Sequence, residues 1–263
     1  YERADITTGN VDICIDVVSP TGTNIQGAFI VSDAAGDPAY RNPVVSVSSN
    51  SSVLVAYEEV TAGVATIEGK IYNPTTNTVG SQIGLIAFSG GDTDSDVTTL
   101  TNGNYVITGV HNEAGDNRII YRIVNSAGTN VLAVTTVTDT DGNTFNDREP
   151  SVTALTGGGF VISWTNTDAT DTDVLFTVYN AAGTQTGSGN TSFGGGTNSN
   201  NESSVVALAD GSFVILYDND ELDRQDVEHY SATGTFLGTF NYGGSGQSPV
   251  GVGLADGRFV AVY

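Results

Sequence analysis

The sequence predicts an all-β protein, and more narrowly a five-bladed β-propeller with four-stranded blades. Three observations lead to this prediction: residues that favour strands and turns dominate the chain, a hairpin sequence recurs five times, and the last copy is completed by residues near the start of the chain. The 33 glycines, the absence of methionine and the single lysine, Lys70, argue against helices and for short strands joined by tight turns.

The repeat is clearest in residues 150–164, which read PSVTALTGGGFVISW. This stretch begins with alternating apolar and polar residues, continues with a glycine-rich turn and ends in a second apolar run. Such a pattern is typical of a β-hairpin. Equivalent hairpins begin at Pro43, Ser95, Ser203 and Pro249, and their second strands end 46 to 55 residues apart. This regular spacing favours repeated units in a closed ring over an array of immunoglobulin-like sandwiches.

A third strand follows each hairpin except the last, and the matching third strand lies instead in residues 11–23. We therefore expect one domain over residues 1–263, in which both chain ends complete one blade, either within the chain (in cis) or with a neighbouring copy (in trans). The expected blades are residues 42–90, 91–139, 140–195, 196–244, and 245–263 together with 1–41.

The charge of the chain excludes some functions. There are 30 Asp and Glu residues against eight Lys and Arg, a formal net charge of −22, so nucleic-acid binding is not expected because too few cations could neutralise phosphates. The longest apolar runs, such as residues 213–217, are too short for membrane insertion. A single cysteine, Cys14, excludes an internal disulfide framework.

The repeat also resembles a known family. Pro150, Phe160, Trp164 and Gly183 match the pattern PxVAALxDGGFVVxW followed by FDAxGxxxG, which belongs to propeller-type repeats of large secreted bacterial proteins of the calcium-rich adhesin or RTX-like kind. The resemblance spans essentially the whole chain and is structural rather than functional. It implies a propeller fold and an adhesive module at an extracellular or cell-surface location.

Aspartates cluster between the strands more densely than turns require. Oxygen-only ligands suit Ca²⁺, so these clusters predict a calcium site, the alternative being solvated acidic loops that keep the protein soluble. The candidate ligands are Asp139, Asp141, Asp147, Asp168, Asp171, Asp173, Asp218, Asp220 and Asp223.

A second set of residues follows from aligning the five copies on their first strand. In a propeller this strand lines the central channel, so residues at equivalent positions could ring one mouth of it and bind a ligand; alternatively, their side chains cap the interblade turns. The five residues are Asn42, Asp94, Glu149, Glu202 and Ser248.

These observations lead us to expect a non-catalytic module that binds a polysaccharide or a cell-surface partner and is stabilised by calcium. The first alternative is a structural subunit of a filament or surface layer, bound head to tail to copies of itself. The second is a glycoside-active enzyme that uses the carboxylates of the channel mouth, because such enzymes need a pair of carboxyl groups.

Overall fold

The structure of the chain is a computed structural model, and it describes residues 1–4, 11–32, 39–86, 91–113, 115–137, 146–167, 172–191, 199–242 and 247–263. The described residues form an all-β fold of antiparallel sheets without a helix. In these ranges, accordingly, no helix is long and apolar enough to cross a membrane.

We number the sheets I to VI along the chain. Sheet I contains three strands in the order β1-β2-β3, which are Glu2–Ala4, Val11–Val18 and Asn24–Ile30. Sheet II contains five strands, in the order β4-β5-β6-β7 with β8 also paired to β6. These strands are Ala39–Val47, Val53–Thr61, Val64–Asn73, Thr78–Val79 and Ile83–Ile86.

Sheets III to V each contain four strands that pair with their sequence neighbours. In sheet III they are β9 to β12: Asp92–Thr99, Tyr105–Glu113, Asp116–Val124 and Asn130–Thr136. In sheet IV they are β13 to β16: Asn146–Ala154, Phe160–Thr167, Thr172–Tyr179 and Gln185–Thr191. In sheet V they are β17 to β20: Asn200–Ala207, Phe213–Asn219, Arg224–Tyr230 and Phe236–Tyr242. Sheet VI is the hairpin of β21, Val250–Gly253, and β22, Phe259–Val262.

Each sheet packs face to face on the next one along the chain, so the core is a series of apolar layers between sheets. The first strands β4, β9, β13, β17 and β21 contact one another in this order. They therefore form the inner side of the stack, where equivalent residues of successive sheets come close together.

Aromatic residues at the start of the second strands anchor these layers. Tyr105, Phe160 and Phe213 are fully buried, as the repeat predicts. The Phe160 ring stacks on Tyr179 with their centroids 4.9 Å apart. Phe259 of sheet VI is only half-buried, because among the described residues its sheet is covered on one face.

The turns between the first and second strands share one backbone conformation. Gly103, Gly158, Gly211 and Gly257 all have a positive φ, between 84° and 93°, a region that L-residues with a Cβ avoid. Ser51 occupies the equivalent position of sheet II with a φ of 67°. The turn geometry is thus set by the repeat, even where the glycine is replaced.

Candidate functional site

The first strands of sheets II to V carry a β-bulge at the same place. In each, two residues oppose a single residue of the second strand, at Tyr57, Gly109, Trp164 or Tyr217. The first residue of every bulge has a left-handed backbone, and so does the equivalent residue just before β21. These five are Asn42, Asp94, Glu149, Glu202 and Ser248, with φ between 51° and 55°.

The five left-handed residues are the ones that the sequence alignment predicted for the channel mouth. A left-handed backbone at a residue other than glycine costs about 1–2 kcal/mol, and bulges commonly re-aim side chains at functional sites. Their recurrence at equivalent positions shows that the sheets repeat one local geometry, and that this geometry presents polar side chains at one end of the inner strands.

Three of the five residues line one cavity. Its volume is about 610 Å³, and Glu149, Glu202 and Ser248 are in its wall together with Ser95 and Ser151. The described residues that line it include no lysine, arginine or histidine. Asn42 and Asp94 are absent from this wall, so the structure brings only part of the predicted ring into a common space.

Asn42 and Asp94 are instead tied to Glu58, a fully buried residue of β5. The Glu58 carboxylate accepts the Asn42 side-chain amide at 2.8 Å and the Asp94 backbone N–H at 3.0 Å. The guanidinium of Arg41 compensates its charge, with Nε 2.6 Å from Oε2. Glu58 therefore fixes two successive bulges across the interface between sheets II and III.

Thr165 occupies in β14 the position that Glu58 occupies in β5, one residue after the residue opposite the bulge. Its buried hydroxyl donates to Oε2 of Glu149 at 3.1 Å and accepts the Glu202 backbone N–H at 3.1 Å. Glu202 in turn accepts the Ser248 hydroxyl on Oε2 at 2.9 Å. A continuous set of hydrogen bonds thus connects the three predicted residues in the cavity wall.

Glu58 and Thr165 were not among the residues predicted from the sequence. The signal that could have found them is a polar residue directly after the aromatic end of the second strand, as in Tyr57-Glu58, Trp164-Thr165 and Tyr217-Asp218. An apolar run that ends in a buried polar residue indicates a specific partner, since buried polar groups are hydrogen-bonded.

Carboxyl groups around the mouth perturb one another. The pKa of Asp94 is raised, mainly by partial burial of its carboxyl group and next by the charges of Glu58 and Glu149. The residue as a whole is still exposed to solvent. Burial is also the main cause that raises the pKa of Asp218 to about 6, with the charges of Asp220 and Glu202 adding to it. Perturbed carboxyl groups of this kind are typical of functional sites.

The predicted calcium ligands are only partly described. Asp139, Asp141, Asp168 and Asp171 lie outside the described residues. Within the ranges that the structure describes, no three His, Cys, Asp or Glu side chains are placed to hold one metal ion. The calcium site therefore stays a prediction.

Three of the described candidates accept hydrogen bonds from amide or indole donors. Buried Asp147 accepts the Trp164 indole N–H at 3.1 Å and the Asn166 amide at 2.8 Å. On the same cross-strand row, Asp173 lies on the other side of Asn166. In sheet V, Asp218 accepts the Gln225 amide at 3.0 Å and Asp220 accepts the Asn201 amide at 2.8 Å, whereas Asp223 is exposed in the turn before β19.

Comparison with known proteins identifies the fold but no family. The sequence matches no protein-family profile and no curated protein. Among solved structures, it is similar to a protein of unknown function from Dyadobacter fermentans, with a TM-score of 0.58 and 13% identity over 85% of this chain and 74% of that one. An α-L-arabinanase of Penicillium chrysogenum bound to arabinobiose gives a TM-score of 0.58 and 12% identity over the same shares. The NanB sialidase of Streptococcus pneumoniae gives 0.57 and 10% over 84% of this chain and 56% of that one.

The comparison supports a β-propeller-like all-β fold. It contradicts our expectation of a non-catalytic adhesion or carbohydrate-binding module, and with it the expected absence of enzymatic activity, because named neighbours with this fold are glycoside hydrolases. The filament-subunit alternative is no better supported, and the glycoside-active alternative agrees best with these neighbours. Identities of 10 to 13% show the fold alone.

Proposed function

We propose that this protein is a glycoside-active enzyme that cleaves glycosidic bonds at the cavity lined by Glu149 and Glu202. The observation that carries the proposal is the pairing of these two glutamates, which come from adjacent sheets, line one cavity and are joined through the Thr165 hydroxyl. Glycosidases need two carboxyl groups, one to protonate the leaving oxygen and one to activate water or attack the anomeric carbon.

The charge of the cavity supports neutral sugars as the substrate class. Its described wall carries glutamate and aspartate side chains, several hydroxyl groups and no cation. A uronate or sialate carboxylate would meet like charges there, and this repulsion costs binding energy. Hydroxyl groups such as those of Ser151 and Ser248 are suited to hydrogen bonds with sugar hydroxyls.

We further propose that the sheets are the blades of one five-bladed propeller. The support is the recurrence of the same left-handed residue at five equivalent positions, together with the similarity to solved glycoside hydrolases of this fold. Sheets II to V supply four blades in this arrangement, and sheets I and VI are the two parts of the fifth. Calcium binding and an extracellular location, the other sequence-based expectations, stay predictions.

The activity is tested by incubating the purified chain with neutral oligosaccharides and polysaccharides, among them arabinan, and with uronate- and sialate-containing glycans, and by measuring released reducing ends. We expect turnover of a neutral substrate that Glu149→Gln and Glu202→Gln each reduce at least a hundredfold. Glu221→Gln, at an exposed glutamate in the turn after β18, is the matched control and should keep full activity. No turnover across the panel, or full activity in both cavity variants, would refute the proposal.

A further inference from the structure

Two apolar surfaces are exposed at the two ends of the series of first strands, on β21 and on the part of β4 that sheet I leaves uncovered. On sheet VI, Val250 and Val252 of β21 are 58% and 57% exposed, and Val260 and Val262 of β22 lie beside them, also exposed. On sheet II, Val45 and Val47 of β4 are 58% and 59% exposed. Contiguous exposed apolar faces of this kind indicate a contact surface rather than ordinary scatter of apolar residues.

The repeat shows what covers the β4 face in the other sheets. The residues equivalent to Val45 are Val97, Val152 and Val205, which are only 5 to 8% exposed because the preceding sheet packs on them. For sheet II, the preceding inner strand in a ring of five blades is β21. In that ring the β4 valines and the β21 valines would face each other.

The contacts at the observed interfaces give the register of this missing one. Ser46 of β4 contacts Thr99 of β9, their hydroxyl oxygens 2.6 Å apart, and Thr98 of β9 contacts the Ala154 backbone N–H of β13 at 3.1 Å. Each of these contacts joins a residue of one first strand to the next strand's residue one repeat position further along. The same offset, applied from β21 to β4, places Val252 against Val47 and Val250 against Val45. All four partners in this arrangement are valines, whereas observed interfaces include polar contacts at equivalent places, such as those of Ser46 and Asp96.

Strand edges lead to the same arrangement. β1 pairs only with Val11 to Ile13 of β2, and the backbone of Tyr1 bonds to that of Cys14. On this edge, the remaining β2 residues, Ile15–Val18, have no partner strand among the described residues. In sheets III to V the residue equivalent to Phe259 pairs with the residue equivalent to Val18, so the four residues of β22 match the four free residues of β2.

We propose that the β21–β22 hairpin docks within its own chain, with its valine face on Val45 and Val47 and with β22 paired to Ile15–Val18. The hairpin already packs on β17, and β2 already packs on β4, so both partners lie on the sheets that flank the gap. The valine face of the hairpin and the valine face of β4 therefore cover each other within one molecule. This inference rests on the five-blade arrangement proposed above and is independent of glycoside activity.

Cysteine cross-linking tests the proposal. The double variant Val47→Cys/Val252→Cys should oxidise to an intramolecular disulfide in monomeric protein, seen as a faster band on a non-reducing gel and as the loss of two hydrogens in the intact mass. The equivalent pair at an observed interface, Ser46→Cys/Thr99→Cys, is the positive control. Val47→Cys/Val64→Cys, whose positions lie at opposite ends of sheet II, is the negative control, and the single variants show that buried Cys14 stays unreacted.

Two outcomes would overturn the proposal. Disulfide-linked dimers and larger species from dilute protein would mean that the faces meet between copies. Two free thiols in the Val47→Cys/Val252→Cys variant, under conditions in which the Ser46→Cys/Thr99→Cys pair is fully oxidised, would mean that the faces do not meet. Because the valines are exposed, their substitution leaves the observed core intact, and the cross-link reports the contact whether or not the chain hydrolyses any sugar.

Discussion

The hydroxyl of Thr165 donates a hydrogen bond of 3.1 Å to the Oε2 atom of Glu149. Thr165 is fully buried in β14, and Glu149 is the left-handed bulge residue of the neighbouring strand β13. The same hydroxyl oxygen accepts the backbone N–H of Glu202 from the next sheet. One side chain thus holds the carboxylate of Glu149 and the backbone of Glu202, the two residues on which the proposed activity depends.

Replacing Thr165 by valine keeps the shape of the side chain and removes both hydrogen bonds. We expect a loss of about 1–3 kcal/mol in the free energy of unfolding, because two hydrogen bonds are lost and one of them is to a carboxylate. We also expect kcat on a hydrolysed substrate to fall by about tenfold or more, which corresponds to roughly 1.4 kcal/mol of transition-state free energy. Urea unfolding and initial rates measure the two effects.

Thr165→Ser is the matched control for this prediction. It retains the hydroxyl and should recover most of the activity even where the lost methyl group lowers stability. If the valine variant were as active as the original protein, Thr165 would have only a structural role.

The interface between sheets III and IV depends on Phe160. Its ring is fully buried, stacks on Tyr179 and meets Tyr121 edge-on at 5.7 Å between centroids. Truncation to alanine leaves a cavity among rigid aromatic neighbours, so Phe160→Ala should cost about 3–5 kcal/mol of unfolding free energy. Leu222→Ala, at a residue that is half exposed, should change it by less than about 0.5 kcal/mol. Equal midpoints for the two variants in urea would contradict the packing described here.

The strands and turns could be predicted from the sequence because their signals are local and occur several times. The alternation around Pro150 and the glycine at position 158 have counterparts in the other copies, so errors in one copy are corrected by the rest. The alignment also picked out Glu149, Glu202 and Ser248, which the structure places around one cavity.

The contacts of these residues could not be predicted in the same way. A left-handed backbone is unexpected for glutamate, and the partners Glu58 and Thr165 approach from another sheet or strand, at distances that no local pattern encodes. Asp147 looked like a loop ligand, yet its register on β13 puts it beside the Trp164 indole. The resemblance to adhesive repeats reflects the sequence of the repeated hairpin. Because proteins of different function share one fold, this resemblance did not predict the function.

Ser51 gives a prediction about backbone strain. It has a φ of 67° at the turn position where sheets III to VI have glycine, and a left-handed residue with a Cβ costs about 1–2 kcal/mol. Glycine removes this strain but adds freedom to the unfolded chain, worth about 0.5–1 kcal/mol, so Ser51→Gly should stabilise the protein by up to about 1 kcal/mol. The reciprocal change Gly103→Ser should destabilise it, since a Cβ there would also lie 3.2 Å from the Ser48 hydroxyl. Thermal unfolding of both variants checks the prediction, and a fall in stability for Ser51→Gly would argue against it.

Asp218 should make stability depend on pH. Its pKa in the folded protein is raised to about 6 from the ordinary value of 3.8, mainly by burial. Between about pH 4 and 6 the folded state therefore holds a proton that the unfolded state has released, so this contribution to stability is fully present below pH 4 and is lost as the pH rises through 6. Asp218→Asn keeps an acceptor for the Gln225 amide and removes the charge. The variant should gain about 3 kcal/mol at pH 7 and nothing at pH 3.

Urea unfolding at half-unit pH intervals measures this difference. Glu68→Gln is the matched control, because burial raises the pKa of Glu68 to about 7 at a distance from the cavity, and its effect should extend over a wider window, from about pH 4.5 to 7. An Asp218→Asn profile parallel to that of the original protein between pH 4 and 6 would show that Asp218 is ionised at little cost in the folded state. A difference that grows between pH 4 and 6 and stays constant above pH 6 would identify Asp218 as the group that titrates beside Glu202.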